Sequence, residues 1–107
     1  MPLQCKADGR RLWVRVIGEV DHHRARQLML ELERRLEIGE PRELTVDLSG
    51  VTFMDSSGIA VLLRTGRRMR ELDGSMQVTG VPPQAGRVLR AAGLEKMMPI
   101  AFERGKG

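Results

Sequence analysis

Residues 44–63 read LTVDLSGVTFMDSSGIAVLL, and the pattern within them decides the fold. Leu44, Val46 and Leu48 alternate with polar neighbours, the period of a half-buried strand. Ser49-Gly50 is expected to open a loop, after which Asp55-Ser56-Ser57-Gly58 runs straight into an apolar helical pattern. Small polar residues just ahead of such a run start a helix, because a side-chain oxygen accepts from the first unpaired backbone N–H groups. One serine is therefore displayed at a helix N-terminus. Free N–H groups and the positive end of the helix dipole converge at that point, so a hydroxyl there can take up phosphate and leave the fold intact.

Upstream, Leu3 to Ala7 and Arg11 to Ile17 read as two strands around Asp8-Gly9, a pair that favours a tight hairpin turn. Gly18-Glu19-Val20-Asp21 leads into a helix with Asp21 as its cap, and Ala25, Leu28, Met29, Leu32 and Leu36 line one face of it until Gly39 and Pro41 stop it. Downstream, the helix opened by Asp-Ser-Ser-Gly places Ile59, Leu62, Leu63, Gly66 and Met69 inward and Arg64, Arg67, Arg68 and Glu71 outward, with Arg67 and Glu71 one turn apart. Asp73-Gly74 turns the chain into a short strand, Met76 to Thr79. Pro82 or Pro83 then starts a third helix, with Ala85, Val88, Leu89 and Ala92 inward and Gly93 as its stop. Met98 to Phe102 adds an edge strand or packs as a tail, and Glu103 to Gly107 is expected to fray. Hairpin, helix, strand, helix, strand, helix is the order of an α/β domain with parallel crossovers beside an antiparallel pair.

A length of 107 residues suits one domain, 1–107, with a single core. With 41% hydrophobic and 30% charged residues the composition is that of a globular chain rather than a disordered one. The uncharged run from Ser56 to Leu63 falls far short of the roughly 20 residues a spanning helix needs. MPLQCKADGRR has no apolar middle of a signal peptide, so a cytoplasmic location is expected. Cys5 is the single cysteine, which excludes an internal disulfide and a cysteine metal cluster. The net charge of +4 invites a nucleic-acid reading, but the basic residues are interleaved with acids, and one Trp, two Phe and no Tyr leave little for bases to stack on.

No catalytic set converges. Ser56 and Ser57 lack the G-x-S-x-G elbow, no G-x-x-x-x-G-K-[ST] phosphate loop occurs, and the adjacent His22 and His23 point different ways on a helix as a solvated first-turn pair. No enzyme activity, cofactor or metal site is expected. For the Asp-Ser-Ser-Gly turn, capping and a regulatory hydroxyl both satisfy the residue pattern, and Asp21 likewise serves as a cap.

Three segments carry a resemblance: Gly18-Glu19-Val20-Asp21-His22-His23-Arg24-Ala25, then Val46 through Met54-Asp55-Ser56-Ser57-Gly58, then Pro82 to Gly93-Leu94. Together they resemble the STAS domain of bacterial anti-sigma factor antagonists, over nearly the whole chain. The M-D-S-S-G segment marks the family, and G-E-x-D-H-H is similar to its sporulation branch. The resemblance implies a STAS fold, a mixed four- to five-stranded sheet packed with helices. It implies a non-enzymatic partner switch: the unphosphorylated form binds an anti-sigma factor that is also a serine kinase, and so frees a sigma factor indirectly. The kinase phosphorylates Ser56 and ends the binding, and a PP2C-type phosphatase restores it. Asp21, Asp55, Ser56, Ser57 and Gly58 are the implied partner-binding residues. The chain departs from the sporulation proteins at Ala60, where they often carry a second glycine, and in its arginine-rich surface, which bears on the partner's identity. A STAS module of a stress-response system is the first alternative; a basic nucleic-acid-binding domain and a small hydrolase follow.

Overall fold

The computed structural model describes residues 3–103. Strand β1 (Leu3–Asp8) pairs antiparallel with β2 (Arg11–Val20) from Leu3↔Val16 to Asp8↔Arg11. The turn is Gly9-Arg10, one residue beyond the expected pair, and Gly9 supplies the positive φ of +61° that its first position requires. Helix α1 (His22–Gly39) leads to β3 (Glu43–Met54), helix α2 (Ser56–Glu71) to β4 (Ser75–Val81), and helix α3 (Pro83–Ala91), with a short 3-10 turn at Leu94–Lys96, to β5 (Ile100–Phe102). The sheet runs in the order β1-β2-β3-β4-β5, with every pair after the first parallel. It is the expected mixed sheet, five strands wide.

Two strands are longer than the sequence suggests. Ser49-Gly50 is not a loop: β3 continues through it to Met54, and β2 continues through Gly18 to Val20. The pairing is kept by register shifts between Arg15 and Ile17 and between Gly18 and Glu19, so that Gly50 lies opposite Ile17. Gly50 is needed there because the strands approach too closely for a side chain; a Cβ would sit 2.9 Å from the Val16 carbonyl oxygen. Glycine, read locally as a breaker, here admits a bulge. Strand β4 likewise runs two residues past Thr79, to Val81. At the other end of the chain, the Glu103 amide donates to the Val81 carbonyl at 2.8 Å, which extends the β5 pairing; the rest of the segment expected to fray, residues 104–107, lies outside the described residues.

The helices form one layer, α1 against α2 and α2 against α3, over one face of the sheet. Leu28, Leu32 and Leu36 of α1, Val61, Leu62 and Met69 of α2, and Ala85 and Leu89 of α3 close a core over Val14, Val46, Leu48 and Val78. The residues that alternate with these on the strands face the opposite side, where Trp13 and Thr45 are partly exposed and Gln77 is exposed. The buried stripe of α2 is rotated from the expected one. Gly58, Val61, Thr65 and Gly66 are buried, while Ile59 and Leu63 are only half-buried at its margin. Thr65 can enter the core because its hydroxyl donates to the Val61 carbonyl one turn back, at 2.8 Å. In α3, Gly86 rather than Val88 or Ala92 completes the inner face.

Burial separates two neighbouring apolar residues of α1: Leu36 is 0% exposed and Ile38 is 77% exposed. Leu36→Ala is expected to cost about 2–5 kcal/mol, whereas Ile38→Ala should stay within about 0.5 kcal/mol of the parent. Urea unfolding followed by circular dichroism measures both.

Candidate functional site

The parallel ladder of β2 and β3 ends with Val20 opposite Met54, and the Asp55 amide donates to the Val20 carbonyl at 3.2 Å. The next residue on each strand, Asp21 and Asp55, is the N-cap of the helix that follows. Two helix N-termini thus open side by side at the carboxyl ends of adjacent parallel strands, where open α/β sheets place their sites. Asp21 accepts from the His23 and Arg24 amides, both at 3.1 Å. Asp55 accepts from the Ser57 amide at 2.8 Å.

Ser56 is the first residue of α2 and is exposed. Ser57 is half-buried and faces α1, lining a groove with His22, Ala25 and Ala60. Gly58, grouped with them on sequence, is buried: a Cβ there would lie 2.6 Å from Met54 Cγ and 2.7 Å from its Sδ. Its part is to let the first turn of α2 settle on Met54. The side chains of Asp21, Asp55, Ser56 and Ser57 are therefore brought to one edge, and Gly58 supports them from below.

The Ser57 backbone N–H, foremost, holds the Asp55 carboxyl below the ordinary value near 3.8; partial desolvation opposes it, and the Ser57 hydroxyl, the His22 amide and the His22 imidazole reinforce it. Asp55 is thus a carboxylate at neutral pH. His22 and His23 do not diverge as expected: at the start of α1 their ring centroids lie 4.0 Å apart, with the planes tilted by 36°. Among the described residues no group of three His, Cys, Asp or Glu side chains is placed to hold a metal ion.

Two contributors were not read from the sequence. Gln84, in the first turn of α3, clamps the backbone of Met54: its Oε1 accepts from the Met54 amide at 2.8 Å and its Nε2 donates to the Met54 carbonyl at 2.8 Å. Beyond Asp47↔Thr79 no β4 residue pairs with β3, so this side chain takes the place of a neighbouring strand just ahead of Asp55. A glutamine after two prolines carries no sequence signal for such a role. Phe53, paired with Glu19 near the same end, is 42% exposed, and alternation along β3 would have flagged it only once the strand was known to reach Met54.

The family model described as "Mlab, STAS domain" matches residues 3–99. The chain is 33% identical over 102 residues to the anti-sigma F factor antagonist of Paenibacillus polymyxa, covering 94% of this chain and 87% of that one. It is 29% identical over 87 residues to the anti-sigma-B factor antagonist of Staphylococcus aureus strain NCTC 8325 / PS 47, covering 81% and 80%. Among solved structures, the anti-sigma factor antagonist SpoIIAA in its unphosphorylated form superposes with a TM-score of 0.78 at 24% identity, covering 94% of this chain and 89% of that one. SpoIIAA of Bacillus in the phosphorylated form gives 0.70 at 24% identity, covering 94% and 92%. The chain belongs to the STAS-domain family of anti-sigma factor antagonists.

Two outcomes test the site's construction. Gln84→Ala leaves the Met54 amide and carbonyl without their partner and is expected to destabilise the domain by about 1–3 kcal/mol, with faster hydrogen exchange at the Met54 and Asp55 amides than at Val46. The Asp55 carboxyl should titrate below 3.8 when followed by carbon-detected NMR. Because its folded value lies under the unfolded one, its contribution to stability is complete above the unfolded value and is lost as pH falls through the folded value. Lowering the pH from 7 to 5 should therefore leave the Ser57 amide protected.

Proposed function

We propose that this chain acts by reversible protein binding gated at Ser56. The unphosphorylated form binds an anti-sigma factor that is also a serine kinase and so releases the sigma factor. Transfer of phosphate to Ser56 ends the binding, and a PP2C-type phosphatase restores it. The observation that carries the reading is the exposed Ser56 at the tip of α2, next to its capping carboxylate Asp55 and at the end of the sheet where Asp21 caps the neighbouring helix. Two relatives' names support an antagonist's role, and solved structures of SpoIIAA in unphosphorylated and phosphorylated forms share the fold. The setting is cytoplasmic, and among the described residues no helix is long and apolar enough to cross a membrane.

The physics of the gate is local. Phosphate adds about −1.5 to −2 charges and strong acceptor oxygens. In the free domain a helix N-terminus tolerates a dianion, and water solvates it. A partner fitted against a neutral hydroxyl would have to cover that dianion beside the Asp55 carboxylate, and an uncompensated buried charge costs several kcal/mol. A few kcal/mol is orders of magnitude in affinity. Asp21, Asp55 and Ser57 form the rim such a partner meets.

The similarity to the anti-sigma-B factor antagonist supports a second reading, a stress-response system that keeps the same gate and uses a different kinase. Incubation with ATP and each candidate anti-sigma kinase of the same organism, followed by intact-mass measurement and peptide mapping, separates the two. One phosphate at Ser56 is expected from the cognate kinase alone; modification elsewhere, or none with an active cognate kinase, overturns the reading. Ser56→Asp should lose kinase binding by at least about a hundredfold while keeping the parent circular dichroism spectrum, and Ser56→Ala should bind but resist modification.

A further inference from the structure

The groove between α1 and α2 begins beside Ser57 and continues down the length of α2. Its first part, about 500 Å³, is floored by Ala25, Met29, Leu30 and Ala60. The second, about 550 Å³, passes Leu63 and Arg67 to Glu71. Ala60, Glu33 and Arg64 line both parts, which adjoin at the Arg64–Glu33 ion pair that bridges α2 to α1, and the two parts together form a trench interrupted by that bridge. From Ser57 to Glu71 it follows about 20 Å of helix. Leu30 is 57% exposed in it, and with the half-buried Met29 and Leu63 it makes an apolar strip that the fold leaves uncovered.

Charge says what kind of surface fits this strip. Both acids in the trench are already engaged, Glu33 with Arg64 at 2.9 Å and Glu71 with Arg68 at 3.1 Å. Arg26, on the α1 wall of the first part, and Arg67, on the α2 wall of the second, have no acidic partner among the described residues. An apolar floor with unmatched cations on both walls complements an apolar side chain set among carboxylates. We propose that the trench docks an acidic surface of the anti-sigma kinase, with an apolar anchor seated beside Leu30 and carboxylates meeting Arg26 and Arg67. The inference rests on the partner-switching reading above and adds to it the partner's chemistry: the gate at Ser56 is one end of a contact whose length and selectivity come from the arginine-walled trench.

The test is binding of the same organism's anti-sigma kinase, measured by titration calorimetry at low and high salt. Arg26→Glu combined with Arg67→Glu is expected to weaken binding by about tenfold or more and to flatten its salt dependence. Leu30→Ser should also weaken it, at both salt concentrations. Lys6→Glu with Arg10→Glu, exposed on the β1–β2 hairpin and lining neither part of the trench, should bind as the parent does. If the Arg26/Arg67 reversal binds like the parent while Ser56→Asp does not, the docking proposal fails and the gate stands. If the parent itself does not bind any anti-sigma kinase of the organism, the reading beneath fails and takes the proposal with it. Sedimentation of the protein alone covers another occupant: self-association abolished by Leu30→Ser would assign the trench to a second copy and overturn the proposal. Binding of a single-stranded oligonucleotide, lost with the Arg26/Arg67 reversal, would overturn it in favour of nucleic acid.

Discussion

Val20 and Met54 face each other on the last rung of the β2–β3 ladder, and the rest of the site depends on that rung. Because the strands are parallel and end together, both following helices start at the same level, and the two capping carboxylates become neighbours. A slip of one residue would turn Val14, Val16, Val46 and Leu48 out of the core, so the buried faces fix the register and the register fixes the site. The irregularities along the ladder matter for the same reason. With the bulge at Gly50, the two strands reach the same end while keeping their apolar sets inward.

Around that rung the scaffold is closed on three sides. Gln84 holds the Met54 backbone from α3, Met54 fills the space that Gly58 leaves under α2, and Asp21 and Asp55 satisfy the first amides of their helices. Each is a short-range contact, and together they leave Ser56 as the exposed member of a rigid turn. A site of this kind suits a change of charge better than a change of shape. The domain need not move for its surface to become unacceptable to a partner, because the desolvation of a dianion is decided within a few ångströms of the hydroxyl.

The trench adds a different physical element to the same edge. The gate proposed at Ser56 would act at short range, whereas charges on exposed helix faces act over about a Debye length and tune rates and selectivity. Residues of α1 and α2 that the core does not use can carry such charges without disturbing the packing. The arginines of this chain are of that kind: Arg26 and Arg67 are exposed, and the inner stripe packs without them.

Much of this was legible in the chain itself. The alternation at Leu44, Val46 and Leu48, the helical spacing of Ala25, Leu28, Leu32 and Leu36, and Asp21 and Asp55 ahead of apolar runs gave the order of elements and both caps, because period and capping are local properties. What locality could not supply was the outcome of competition between elements. Gly50 reads as opening a loop and Gly18 as leading into a helix, yet both are parts of strands, because pairing along the ladder outweighs a single residue's preference. Arg67 was matched to Glu71 on helical spacing, yet Glu71 bonds Arg68, and Arg64 reaches across to Glu33 on another helix. Gln84 became a clamp only when α3 was laid beside the end of β3. By itself the sequence determined which segments fold and which polar groups start them; the tertiary structure decided which of those groups meet, since distance between residues far apart in the chain is set by packing and not by pattern.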